Sequence, residues 1–153
     1  MKIESLKISG FRCFGVTPQV VSIADFTCLI GPNASGKTSG MLALARLFGD
    51  SNSLRQIQHT EFHLTEKENL TDQSERSLYI EAKVVFPELA GADADTTAIP
   101  EVFNQMIVEE PGGAPYCRIR LEATWHDSGT MTGEIEQQIN WLLTNSDDPD
   151  TID

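Results

Sequence analysis

Residues Gly31-Pro32-Asn33-Ala34-Ser35-Gly36-Lys37-Thr38 read G-x-x-x-x-G-K-T. No other run constrains this chain as much. The two glycines let the backbone curl tightly enough to aim successive N–H groups at one point, which a phosphate chain can occupy. Lys37 is then placed to reach the β- and γ-phosphates, and the Thr38 hydroxyl to hold Mg²⁺. Such a loop works when it joins a strand to a helix N-terminus, where unpaired N–H groups and the helix dipole favour an anion. The flanks predict that context. Phe26-Thr27-Cys28-Leu29-Ile30 is a short, mostly apolar run that stops at Gly31, as a buried parallel strand would. After Thr38, the apolar residues Met41, Leu44, Ala45 and Phe48 fall at helical spacing, and Gly49 fits a C-cap.

A length of 153 residues suffices for one domain with a real core. The hydrophobic fraction of 40% and charged fraction of 22% describe a soluble globular chain. No run approaches the ~18 apolar residues of a membrane span. Met1-Lys2-Ile3-Glu4-Ser5 lacks a signal-peptide pattern. Cys13, Cys28 and Cys117 are far apart, odd in number and without metal-ligand spacing, so reduced thiols in a cytoplasmic protein are expected. The net charge of −12 makes the bulk field a poor one for nucleic acid. Arg118 and Arg120 share a run, but no basic stripe is present. Any DNA contact is expected from regions outside this chain.

Along the chain, Lys2 to about Gly10 reads as an edge strand, and Gln19 to Ile23 as a second strand after a Gly15–Pro18 turn. Phe26–Ile30 makes a third, feeding the phosphate loop. Residues 50–77 form a polar excursion that only Ile57, Phe62, Leu64 and Leu70 could anchor. Leu78 to Phe86 alternates, with Leu78, Ile80, Ala82 and Val84 on one face and Tyr79, Glu81 and Lys83 on the other, and Pro87 ends it. A helix is predicted from about Pro100 to Val108, striped by Val102, Phe103, Met106 and Ile107. Cys117–Trp125 and Thr132–Leu142 alternate again and predict an antiparallel hairpin about Asp127-Ser128-Gly129. Residues 143–153 read as an acidic loop or tail.

The opening residues narrow the class. Met1-Lys2-Ile3-Glu4-Ser5-Leu6-Lys7-Ile8-Ser9-Gly10-Phe11-Arg12-Cys13-Phe14 resembles the start of the RecF, SMC and OLD-type ABC ATPases, in which a first strand ends in Phe-Arg ahead of a G-x-N-x-x-G-K-[ST] loop. Asn33 matches the second element. LYIEAKVVFPEL (78–89) and the segment 116–141 are most similar to the OLD-family (overcoming lysogenization defect) ATP-dependent nucleases. The resemblance implies an α/β P-loop NTPase fold of ABC-ATPase-head type, with mixed and antiparallel strands around the strand–loop–helix unit. Residues 1–153 would be the N-terminal part of such a domain. ATP and Mg²⁺ would be its ligands, a homodimer through the head its assembly, and DNA an indirect partner. Arg12 would reach the phosphates or the adenine side, and Asn33 the γ-phosphate region. Ser35, Gly36 and Lys37 would cradle the β- and γ-phosphates within the Gly31, Pro32 and Ala34 loop. Thr38 would ligate Mg²⁺, Ser39 would touch the α-phosphate, and Lys37 would be the catalytic residue.

Elements that hydrolysis needs do not appear. An apolar strand ending in Asp-Glu (Walker B) should supply a Mg²⁺ ligand and a base for water, and none is found. No Leu-Ser-Gly-Gly signature and no acidic Toprim nuclease cluster follow. The isolated chain is therefore expected to be inactive or weak. Two alternatives stay open: a nucleotide-binding module that acts by contact, and a small P-loop kinase or GTPase. The latter is weakened by the lack of N-K-x-D or T-K-x-D, and by only Arg55 and Arg76 near a lid position. His59 and His63 flank Glu61, but no third ligand accompanies them, so surface histidines are expected. Asp147, Asp148, Asp150 and Asp153 lack EF-hand spacing and read as a solvated tail.

Overall fold

The computed structural model describes residues 1–90, 103, 105–110 and 112–144. Among these, five strands make one sheet: β1 (Lys2–Ser9), β2 (Gln19–Ser22), β3 (Glu75–Val85), β4 (Tyr116–His126) and β5 (Glu134–Leu142). Their spatial order is β2-β1-β3-β4-β5, and every neighbouring pair is antiparallel. The main helix, α1 (Lys37–Phe48), contacts β3 and β4 on one face. A one-turn helix, α2 (Asn52–Arg55), follows it.

Two-residue alternation sorts the sheet into an apolar and a polar face. Register carries the sorting across strands: Ile8 lies opposite Ile80, Ile80 opposite Leu121, and Leu121 opposite Ile139. Ile8, Ile80 and Leu121 are fully buried, and each stabilises the fold by about 1.5–3 kcal/mol relative to exposure. Ala43 and Leu47 of α1, with Phe11, Ile57, Phe62 and Trp125, complete this core. The opposite face is not simply wet. Glu81, on the face opposite Ile80, is 4% exposed. Arg118 Nε donates to it at 2.7 Å, and Arg120 Nε and Nη2 at 2.8 and 2.6 Å. Arg120 stacks over Tyr79 at 4.5 Å, so the two arginines roof the carboxylate.

The hairpin and the alternation of β3 and β4 follow the sequence pattern; β5 pairs in the hairpin, but its Ile139 and Trp141 are exposed. Four other expectations do not hold. β1 is interior rather than an edge, because β2 pairs along it and takes the edge position. Phe26–Ile30 forms no strand, and Phe26 and Ile30 are 86% and 89% exposed. A buried parallel strand draws its ladder and its burial from neighbours on both sides. Here the described strands all belong to the antiparallel sheet, which leaves this run none. The buried face of α1 is Ser39, Gly40, Ala43, Arg46 and Leu47, offset from the apolar stripe, so Met41 and Phe48 are exposed. The excursion 50–77 also buries more than expected, since Ile57, Glu61 and Phe62 are all inside.

The predicted helix from Pro100 falls mostly outside the described residues. At its end Val108 pairs with Tyr116 instead, with N–H···O distances of 2.7 and 3.1 Å, and that pairing consumes the bonds a helix would need. The tail beyond 144 also lies outside the described residues.

Candidate functional site

The Gly31–Thr38 run enters α1 as a tight loop whose backbone turns left-handed twice, at Ala34 (φ 65°) and Gly36 (φ 91°). Gly36 is the helix N-cap, and no side chain caps the helix. The first-turn N–H groups are thereby left for a ligand. Two features favour glycine at 36. An L side chain rarely takes that φ, and a Cβ there would sit 3.0 Å from Cys13 Sγ. At Gly31 a Cβ would lie 2.6 Å from Ser35 Oγ. Lys37 Nζ curls over the loop and donates to the carbonyls of Gly31 and Pro32, both at 2.6 Å, and to Ser35 Oγ at 3.3 Å. An ammonium held only by neutral oxygens of its own loop can exchange them for a phosphate with little rearrangement.

A cavity of about 590 Å³ opens beside this loop. One wall runs from Asn33 to Ser39, with Arg12 and Cys13 adjoining, and the other is Thr60, Phe62 and Leu64. Among the described residues, the lining carries two cations, Arg12 and Lys37, and no carboxylate. In a chain of net charge −12, that is a local reversal of sign suited to a polyanion. Arg12 is exposed, and among the described residues its guanidinium has no partner. Thr38 is also exposed on the lining, so its hydroxyl can ligate a hard cation such as Mg²⁺ jointly with phosphate oxygens and water. Of the residues expected to contact nucleotide, Arg12 and Asn33 through Ser39 line this cavity, whereas Gly31 and Pro32 do not. Ser39 itself is 7% exposed. A larger polar cleft of about 710 Å³ lies on the outer sheet face by Ser9, Tyr79 and Glu122, but it has no phosphate-cradling loop.

The second wall was not foreseen from the sequence. Phe62 bridges Phe11, the Glu61 carbonyl accepts from the Arg12 N–H at 2.7 Å, and the His63 N–H donates to the Gly10 carbonyl at 2.8 Å. Glu61 itself is 2% exposed and is held by Arg46 of α1 through Nε and Nη2, the shortest contact being 2.8 Å. One signal could have revealed this. Arg46 lies three residues after Ala43 and one before Leu47, on the core side of the helix, where a charge requires a buried partner. His59 and Glu61 lie in a tight turn, His63 is engaged with Arg12, and no cluster of three ligands exists among the described residues.

Residues 1–129 match the family model AAA_15, AAA ATPase domain. No curated protein matches the sequence. Among solved structures, a chain from work on ATP-driven dimerization and DNA-stimulated activation of SMC ATPases is similar, with a TM-score of 0.51 at 16% identity, over 92% of this chain and 70% of that one. At that identity the likeness is one of fold, and it matches the mixed α/β architecture of an SMC-type P-loop head.

Proposed function

Because the chain belongs to the AAA ATPase domain family, we propose that the cavity at Gly31–Thr38 binds Mg-ATP. The observation that carries this is a lining that, among the described residues, holds two cations and no carboxylate beside an uncapped helix N-terminus. In this reading Ser35, Gly36 and Lys37 cradle the β- and γ-phosphates. Asn33 meets the γ-phosphate region, Ser39 the α-phosphate, and Arg12 reaches in from the turn after β1. Thr38 would hold Mg²⁺, which neutralises phosphate charge when bound. Lys37 leaves its loop carbonyls for the phosphates and stabilises the charge that develops there.

Among the described residues, nothing in the lining can serve as a base for water. We place that carboxylate in a part of the protein outside these 153 residues, beside Phe26–Ile30. The exposed apolar side chains of that run support this, since they would be covered by a neighbouring strand. The full protein is proposed to be a cytoplasmic RecF/SMC/OLD-like ATPase of the overcoming-lysogenization type. It would dimerise through its heads, and its DNA processing would be carried elsewhere. A second reading is favoured by the same missing base: these residues bind nucleotide without hydrolysing it and act by contact.

Mg-ATP affinity of K37A tests the site. Losing a charged donor to phosphate should weaken binding roughly 10- to 100-fold. Unchanged affinity would overturn the assignment, and turnover well above K37A in the isolated chain would exclude the non-hydrolysing reading.

A further inference from the structure

Arg12 holds a backbone conformation that residues with a Cβ rarely adopt, with φ at 53°. Both polar groups of its own backbone are occupied. Its N–H donates to the Glu61 carbonyl at 2.7 Å, and its carbonyl lies 2.7 Å from His63 Nδ1. A carbonyl can only accept, so Nδ1 carries the proton. The His63 N–H adds a bond to the Gly10 carbonyl at 2.8 Å. Glu61 is in turn fastened to Arg46, which sits on the helix that begins with Lys37 and Thr38. A continuous set of contacts therefore runs from the phosphate loop's own helix, through Arg46 and Glu61, to the Arg12 peptide, and His63 closes it from the other side. The Arg12 side chain meanwhile has no partner among the described residues and lines the cavity. The backbone is clamped while the guanidinium is left available.

We propose that His63, together with the Arg46–Glu61 pair, is a positioning element for Arg12. It holds the left-handed turn that presents the guanidinium to a phosphate in the loop. This rests on the Mg-ATP reading above. His63 makes no contact with the nucleotide and acts through Arg12 alone.

The test is a set of Mg-ATP affinities on the full chain, measured with a fluorescent ATP analogue and ATP competition. R12A and H63A should each weaken binding by about tenfold, the worth of one charge-assisted contact. H63N places an amide N–H where Nδ1–H stands and should bind within about threefold of the parent, whereas H63Q, whose donor stands one bond farther out, should behave like H63A. Because His63 acts through Arg12, the double variant R12A/H63A should bind no more weakly than R12A. Multiplying losses in the double variant, or an H63N as weak as H63A, overturns the proposal while leaving the nucleotide site standing. Parent-like affinity in K37A overturns the nucleotide site and the positioning role with it. If H63A loses its fold, H63N against H63Q decides alone.

Discussion

Replacing Glu61 by leucine strands a buried cation. The Arg46 side chain is 10% exposed and that of Glu61 is 3% exposed. Arg46 Nε donates to the two carboxylate oxygens at 3.3 and 3.0 Å, and Nη2 donates to Oε1 at 2.8 Å. The Gln58 N–H donates to Oε2 at 2.9 Å. E61L removes these four contacts and leaves Arg46 only the Leu54 carbonyl at 2.6 Å. Breaking one partner of a buried pair costs about 3–5 kcal/mol. At about 2–4 °C per kcal/mol for a domain of this size, E61L should melt roughly 6–20 °C below the parent. R46M/E61L removes the stranded charge along with its partner and should recover at least ~2 kcal/mol of that loss. Urea and thermal unfolding followed by far-UV circular dichroism, on the parent, both single variants and the double, close the cycle. A coupling energy below about 0.5 kcal/mol, or an E61L variant within about 1 kcal/mol of the parent, would refute the claim that this pair fastens α1 to the second wall of the cavity.

The turn after β1 makes a second prediction. Gly10 has φ 67°, and a Cβ there would lie 2.4 Å from the Ser77 carbonyl oxygen, so G10A should lose at least about 1–3 kcal/mol in urea unfolding; a parent-like midpoint would contradict this packing. The thiols differ sharply in setting. Cys13 and Cys28 are exposed, whereas burial pushes the Cys117 thiol up to about 11. A thiol reagent at neutral pH should therefore label two cysteines fast and the third only on unfolding. Above the ordinary thiol range the unfolded chain sheds a proton that folded Cys117 keeps, so stability should fall between about pH 9 and pH 11. C117V should flatten that fall, and an unchanged slope in this variant would place the titration elsewhere.

Much of the fold could be read directly. β3 and β4 each carry a period-two pattern long enough to allow one pairing register, because a slip of one residue would expose core side chains such as Ile80 and Leu121. The phosphate loop was equally legible, since Gly36 and Lys37 are set by local backbone and charge requirements that no distant contact alters. Composition also gave the acidic background against which Arg12 and Lys37 stand out.

Three features escaped because each depends on residues distant in sequence. The apolar run Phe26–Ile30 has a strand's composition, but a strand exists only beside another, and the described residues supply none there. The helical stripe of Met41 and Phe48 was a sound periodicity, yet the buried pairing of Arg46 with Glu61 turned a different face inward. The polar stretch around His63 looked like a solvated loop, because hydrogen bonds to the carbonyls of Gly10 and Arg12 leave no mark on composition. By itself, then, the sequence determined the sheet's faces and the anion-binding loop, both products of local spacing. Only the tertiary structure decided which side of α1 is buried, what forms the cavity's far wall and how Arg12 is held. Those follow from contacts spanning 15 and 51 residues, which local pattern does not encode.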